Sequence, residues 1–150
     1  MFSLQQPRHT STLLIGYAQT VNPVKSPSDL LAWSTPTSGA IWRTSGIGID
    51  TYDQGWMNSV TDPLARFNQF SLPGLQAAVQ FAAAHGKQFA VCEWGVGENG
   101  DNLVFVQQMA AFLASCPAPV VYHGYYDVAD FDLQNSPQAV AAFITAFGRG

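Results

Sequence analysis

Short apolar runs alternate with amphipathic segments over residues 46–148 of the chain. Each apolar run is rich in β-prone residues, ends in polar or aromatic side chains, and is followed by apolar positions at helical spacing. The predicted strands are residues 47–53, 87–95 and 120–124, and the predicted helices are residues 73–85, 101–115 and 137–147. A strand, a loop and a helix repeated three times indicate an α/β fold built from parallel βα units.

Residues 1–45 give a weaker pattern, because prolines interrupt a sequence rich in Ser and Thr. Two pieces stand out, namely an apolar run at residues 13–18, which we interpret as a further strand, and a single helical turn at residues 28–33. The apolar run is at the short limit for a signal-peptide core, so no signal peptide is predicted. We interpret residues 1–150 as one domain in which the βα units occupy residues 46–148.

Composition restricts the classes of partner. Charged residues make up 11% of the chain, the net charge is −4 and the six basic residues are scattered, which excludes the electrostatic footprint of a nucleic-acid-binding protein. No apolar run approaches the ~18 residues that span a bilayer, so no membrane partner is expected. Aromatic residues reach 13%, which suits a neutral, ring-shaped ligand such as a sugar but equally suits a large core.

Glu93 is the leading candidate for chemistry, because it ends the most apolar of the predicted strands. Alternation along a strand predicts that Phe89, Val91 and Glu93 share one face and that Cys92 lies on the other. The carboxyl ends of parallel strands meet at one edge of a sheet, which is where barrel enzymes build their sites. That edge should therefore collect Glu93 with Tyr52, although a carboxylate that merely caps a strand is the alternative.

Three motifs together resemble a known family. They are Gly-Ile-Asp-Thr-Tyr-Asp at residues 48–53, Phe-Ala-Val-Cys-Glu-Trp-Gly at residues 89–95, and Val-Tyr-His-Gly-Tyr-Tyr at residues 121–126. Their order and spacing resemble the last three βα units of retaining glycoside hydrolases of the Glu/Glu barrel clan, most closely family 26, whose typical member is an endo-β-mannanase. The resemblance implies a partial (β/α)8 TIM barrel, about the last three to four βα units, taken from a secreted parent protein.

The resemblance also implies roles for individual residues. Glu93 takes the place of the catalytic nucleophile, and Tyr52 takes the place of the hydroxyl that holds the nucleophile's carboxylate. Such an enzyme acts on a β-linked polysaccharide, with mannan the implied substrate, and needs no cofactor. Its ionised carboxylate attacks the anomeric carbon and forms a glycosyl-enzyme.

One departure from the family pattern matters more than the matches. The general acid/base of the clan is a second Glu, preceded by His or Asn at the end of the fourth strand, and this chain lacks that motif. Glu98 is the one other glutamate, and it lies in the loop after Glu93. We therefore predict that the isolated chain is inactive on mannan. The alternative is a non-catalytic, truncated or divergent half-barrel that binds carbohydrate weakly or assembles through its exposed strand edges.

Four further side chains are candidates for contact with sugar. Trp94 and Tyr126 follow strand ends, where flat rings can stack on sugar faces, and we favour that role over packing at the rim. For Trp56 and His123, sugar contact and a structural role are equally consistent with the sequence.

No metal or phosphate site is predicted. Asp127, Asp130 and Asp132 lack the spacing of a helix-loop-helix calcium site, and the glycines after Glu93 lack a phosphate-cradling motif. Cys92 and Cys116 should be core thiols that lie too far apart for a disulfide.

Overall fold

The computed structural model describes residues 15–18 and 46–148. Its strands form one parallel sheet in the order in which they occur along the chain. The strands are β1 (Ile15–Ala18), β2 (Gly46–Tyr52), β3 (Gln88–Gly95) and β4 (Val120–Tyr125), and the helices are α1 (Pro63–Arg66), α2 (Leu72–Ala84), α3 (Leu103–Ala114) and α4 (Pro137–Phe147). The parallel α/β organisation predicted from the sequence is confirmed, whereas a closed barrel is not seen among the described residues. The helical turn predicted at residues 28–33 lies outside them.

The hydrophobic core lies between the sheet and the helices. Strand β3 contributes Phe89, Val91 and Trp94, each 0% exposed, and helix α3 contributes Phe105 and Met109. Full burial of each such side chain stabilises the fold by about 1.5–3 kcal/mol. One face of the sheet is thus committed to packing, and groups available for chemistry must lie on the other face or at its edge.

The first long helical segment begins earlier than predicted, at Pro63 rather than Pro73. Asp62 caps it by accepting a hydrogen bond from the Ala65 N–H at 2.6 Å. A π-helical turn over Phe67–Ser71 then joins α1 to α2, whose second residue is Pro73. Proline has no N–H to donate within a helix, and the altered hydrogen-bonding register of the π turn lets the helix continue through it.

A β-bulge in β3 changes the direction of Glu93. Ile49 of β2 pairs with Val91, but the next residue, Asp50, pairs with Glu93, so Cys92 is an extra residue. Glu93 therefore shares a face with Asp50, opposite the core residues Phe89 and Val91, and the prediction that these three β3 side chains share one face is wrong. Bulges are frequent beside active sites because they re-aim a side chain.

We call the side of the sheet opposite the helices the Glu93 face, defined by Asp50, Tyr52, Glu93 and Tyr122. Asp50 is in register with Glu93, so the two share this side of the sheet. Tyr122 is in register with Ala90, which points away from the core side of Phe89 and Val91, so Tyr122 lies on the same side. None of the helices in the described part of the chain has the length and apolar character that crossing a bilayer requires.

Candidate functional site

The centre of the site is a contact between Tyr52 and Glu93. The Tyr52 hydroxyl donates a hydrogen bond to Glu93 Oε2, and both side chains are half-buried. The two residues come from neighbouring strands near their carboxyl ends. The contact predicted between these side chains is confirmed, while their catalytic roles stay predictions.

Two further rings complete the surroundings of Tyr52. The Tyr126 ring meets it edge-on at a centroid distance of 5.9 Å, and the Phe131 ring lies 4.9 Å away. Tyr126 is 37% exposed and is held by its backbone N–H, which donates to the Trp94 carbonyl at 2.8 Å. Tyr126 thus lies beside Tyr52 and is partly exposed, and its contact with sugar stays a prediction. Phe131 was missed, because it belongs to a stretch that reads as a polar loop.

A buried carboxylate, Asp53, organises the loops around this site. Asp53 is 0% exposed and accepts two hydrogen bonds from Arg66, at 2.7 and 3.0 Å. Asn99 and Asn102 donate to it as well, at 3.1 and 2.7 Å. Bidentate pairing with arginine and two amide donors satisfy both carboxylate oxygens. The network joins the end of β2, helix α1 and the loop after β3, and sequence reasoning missed it because its members lie far apart along the chain.

The glutamate after Glu93 has a partner in the neighbouring loop. Glu98 Oε2 accepts a hydrogen bond from the Gly55 N–H at 2.5 Å, so it connects the loop after β3 to the loop after β2.

Two neighbouring residues in the loop after β3 cap two different helices. Asn102 caps α3 through the Phe105 N–H, while Asp101 caps α4 by accepting from Gln138 and Ala139 N–H groups.

Trp94 is not a sugar platform, which corrects the prediction. Its side chain is 0% exposed and stacks against Phe143 of α4 at 5.8 Å, with Tyr125 edge-on at 5.0 Å. The bulge that turns Glu93 toward one face leaves Trp94 on the other, inside the core. No ligand can reach its ring.

His123 lies with Trp94 on the helical side of the sheet. Its Nδ1 accepts from Trp94 Nε1 at 3.3 Å and its ring contacts Phe147 at 4.7 Å. Burial among these rings lowers the pKa of His123 below its ordinary value. The sugar contact suggested for His123 is therefore wrong, because the sheet separates it from Glu93.

Trp56 is 55% exposed and its ring contacts Phe70 edge-on at 5.2 Å. It lies in the 3-10 turn Gly55–Ser59 that follows β2, and its role in sugar binding stays a prediction. Because its ring is exposed, Trp56 can stack on a ligand.

Cys92 and Tyr122 form the floor of the Glu93 face. The Tyr122 hydroxyl donates to Cys92 Sγ at 3.2 Å. This hydrogen bond is the main cause that raises the pKa of Tyr122 to about 12, and burial raises the pKa of the Cys92 thiol. Both groups stay protonated at neutral pH, so Cys92 is not activated as a nucleophile. Cys92 is also not the core thiol we predicted, whereas Cys116 does pack against the core.

The aspartates of the loop after β4 serve the backbone. Asp127 accepts from the Leu133 N–H at 2.7 Å, and Asp132 accepts from the Gln134 N–H at 2.8 Å. Within residues 15–18 and 46–148, no group of three or more His, Cys, Asp or Glu side chains is arranged to hold a metal ion.

Comparison with protein-family models finds no matching family, and comparison with curated proteins finds no match.

Proposed function

We propose that this chain carries the nucleophile side of a retaining glycoside hydrolase site, with Glu93 as the nucleophile and a β-linked polysaccharide, in the first place mannan, as the substrate class. The observation that supports the proposal most strongly is the hydrogen bond from the Tyr52 hydroxyl to Glu93 at the carboxyl ends of adjacent parallel strands. A phenol held against one carboxylate oxygen leaves the second oxygen to attack.

The proposed step is a displacement at the anomeric carbon. A Glu93 oxygen forms a bond to that carbon, the bond to the leaving oxygen breaks, and its electron pair leaves with the departing group. A sugar leaving group needs a proton from a general acid, and Glu98, the one other glutamate in the sequence, is engaged by the Gly55 N–H. A dinitrophenolate leaving group needs no proton, so it separates the role of Glu93 from that of the acid.

The experiment uses the 150-residue chain with a dinitrophenyl β-mannoside. We expect a burst of dinitrophenolate that approaches one equivalent per chain, followed by slow turnover, because hydrolysis of the glycosyl-enzyme lacks a general base. Glu93→Gln should abolish the burst. Glu98→Gln is the matched control, since it replaces the other glutamate, and it should preserve the burst. A burst that survives Glu93→Gln would contradict the proposal, and so would efficient hydrolysis of mannan by this chain.

A second candidate function is a non-catalytic half-barrel that assembles with another chain. The place of β4 at the end of the sheet formed by the described residues favours it, and two of its side chains, Val121 and Tyr122, are 41% and 39% exposed. Exposed strand edges pair readily with other strands. Light scattering over a range of protein concentrations tests this candidate, and we expect the apparent molar mass to increase with concentration. A monomer at high concentration would contradict it.

A further inference from the structure

We propose that Phe131 is a positioning residue that holds the Tyr52 ring where its hydroxyl reaches Glu93. This inference rests on the proposed function for its catalytic meaning, but the geometry that it describes is independent of any substrate. Phe131 comes from the loop after β4, whereas Tyr52 and Glu93 come from β2 and β3.

The packing of three rings carries the proposal. Phe131 lies 4.9 Å from Tyr52 and 6.0 Å from Tyr126, and Tyr126 lies 5.9 Å from Tyr52. Each ring therefore contacts both of the others. Aromatic pairs at these separations prefer tilted or edge-on arrangements, as found here, and contribute beyond the area that they bury. The direction of the Tyr52 ring, and hence the position of its hydroxyl, depends on this packing.

Phe131 is itself fixed by a tightly built turn. It ends the 3-10 segment Ala129–Phe131, and its N–H donates to the Val128 carbonyl at 3.1 Å. Ala129 has a φ of 56°, in the left-handed region that costs a non-glycine residue energy, so surrounding contacts must hold it there. Asp127 adds such a contact by accepting from the Leu133 N–H at 2.7 Å.

The turn also locks against the strand that carries Glu93. A Cβ placed on Gly95 would lie 3.1 Å from the Phe131 ring, and one placed on Gly97 would lie 1.7 Å from the Asp130 carbonyl oxygen. Only glycine allows so close an approach. The backbone just after Glu93 and the backbone that carries Phe131 are therefore closely packed. A displacement of either should change the position of the Tyr52 ring.

Four variants of the full chain test whether Phe131 fixes the position of the Tyr52 ring. Phe131→Ala removes the ring, and Phe131→Tyr keeps an aromatic ring and should keep Tyr52 in place. Asp130→Ala changes the adjacent exposed side chain while leaving its carbonyl in place. Gly97→Ala is a remote test, because its methyl group would push the turn away without touching Tyr52. Thermal unfolding checks that each variant folds.

The first measurement is the NOE between the Tyr52 ring protons and the Glu93 side-chain protons, assigned with Tyr52→Phe, because loss of a neighbouring ring changes the Tyr52 chemical shift even where the Tyr52 ring does not move. We expect this NOE to weaken in Phe131→Ala and Gly97→Ala, and to keep its parental strength in Phe131→Tyr and Asp130→Ala. An unchanged NOE in folded Phe131→Ala would overturn the proposal. Because this measurement needs no sugar, it decides the inference even if the proposed function fails.

The second measurement is the rate of covalent labelling by a 2-fluoro-mannoside with a dinitrophenolate leaving group. Phe131→Ala should lower the maximal labelling rate about 10-fold while the concentration for half-maximal rate changes little, and Phe131→Tyr should recover the rate. A labelled parent chain whose Phe131→Ala variant reacts equally fast would overturn the inference. A parent chain that is never labelled would count against the proposed function alone.

Discussion

Asp53 and Glu93 lie at the carboxyl ends of neighbouring strands, yet their surroundings differ in every respect that matters for chemistry. Asp53 is fully buried, ion-paired with Arg66 and hydrogen-bonded by two asparagines, so both of its oxygens are occupied. Glu93 is half-buried and receives a phenol hydroxyl on one oxygen. Position at a strand end is therefore not sufficient to choose a candidate nucleophile. The hydrogen bonds that already occupy the carboxylate oxygens must be counted as well, and they rule out Asp53.

The buried pair should give the largest effect on stability. Arg66→Ala leaves the Asp53 charge buried without its cation, so the free energy of unfolding should fall by about 3–5 kcal/mol. Urea unfolding of the variant measures this loss. Lys87→Ala is the control, as a cation outside the network, and should change the free energy of unfolding by less than about 0.5 kcal/mol. Equal losses in the two variants would show that the network does not anchor the loops.

Trp94 offers a second test of which groups are structural. Trp94→Ala removes a fully buried ring, and the free energy of unfolding should fall by about 3–5 kcal/mol. Tyr126→Ala, in contrast, removes a ring that is 37% exposed and should cost far less. Urea unfolding of both variants decides the point. A small loss for Trp94→Ala would mean that its ring is not part of the core.

Tyr52→Phe tests whether the hydrogen bond from the Tyr52 hydroxyl supports the reactivity of Glu93. Removing the hydroxyl deletes a hydrogen bond to a charged group, which is typically worth about 1.5–3 kcal/mol, so the labelling rate of Glu93 should fall about 10- to 100-fold. The rate at saturating 2-fluoro-mannoside is the quantity to measure. Tyr122→Phe serves as the control, since that hydroxyl donates to Cys92 instead, and it should label at nearly the parental rate. A loss of the same size in both variants would argue against a specific role for Tyr52.

The smallest expected effect is a pH dependence from His123. Burial lowers the pKa of folded His123 below 6.5, so the unfolded chain takes up a proton at a higher pH than the folded chain does. The free energy of unfolding should therefore be fully retained above about pH 7 and should fall as the pH drops below about 6.5. Urea midpoints measured above and below this interval should differ in the parent chain and should lie closer together in His123→Asn. An unchanged pH dependence in the variant would exclude His123 as its source.

Local patterns were sufficient to predict much of the fold. Apolar runs and helical spacing predicted three strands and the helices that follow them, and α4 (Pro137–Phe147) has the predicted bounds. That Tyr52 and Glu93 lie at the same edge also followed, because parallel strands collect their carboxyl ends there, whereas the hydrogen bond between them was implied by the family resemblance. The strands and helices depend on periodicity within short segments, which a single sequence displays directly.

Features that depend on long-range packing were not predictable in this way. The extra residue at Cys92 leaves no mark in the alternation of β3, yet it exchanges the faces on which Glu93 and Trp94 lie and so reversed two predictions. The Asp53 network needs Arg66 and Asn102 from separate elements, and the turn that carries Phe131 packs against Gly95 of β3 and Gly97 of the loop after it. Side chains that are distant in sequence meet only through tertiary structure, which no local pattern encodes.

We propose that Glu93, and not another carboxylate, is the nucleophile. The most direct measurement is tandem mass spectrometry of the chain after reaction with the activated 2-fluoro-mannoside, because the covalent sugar marks the residue that attacked. We expect a single added sugar that maps to Glu93. A sugar on Asp50, Asp53 or Glu98, or labelling that persists at full yield in Glu93→Gln, would contradict it.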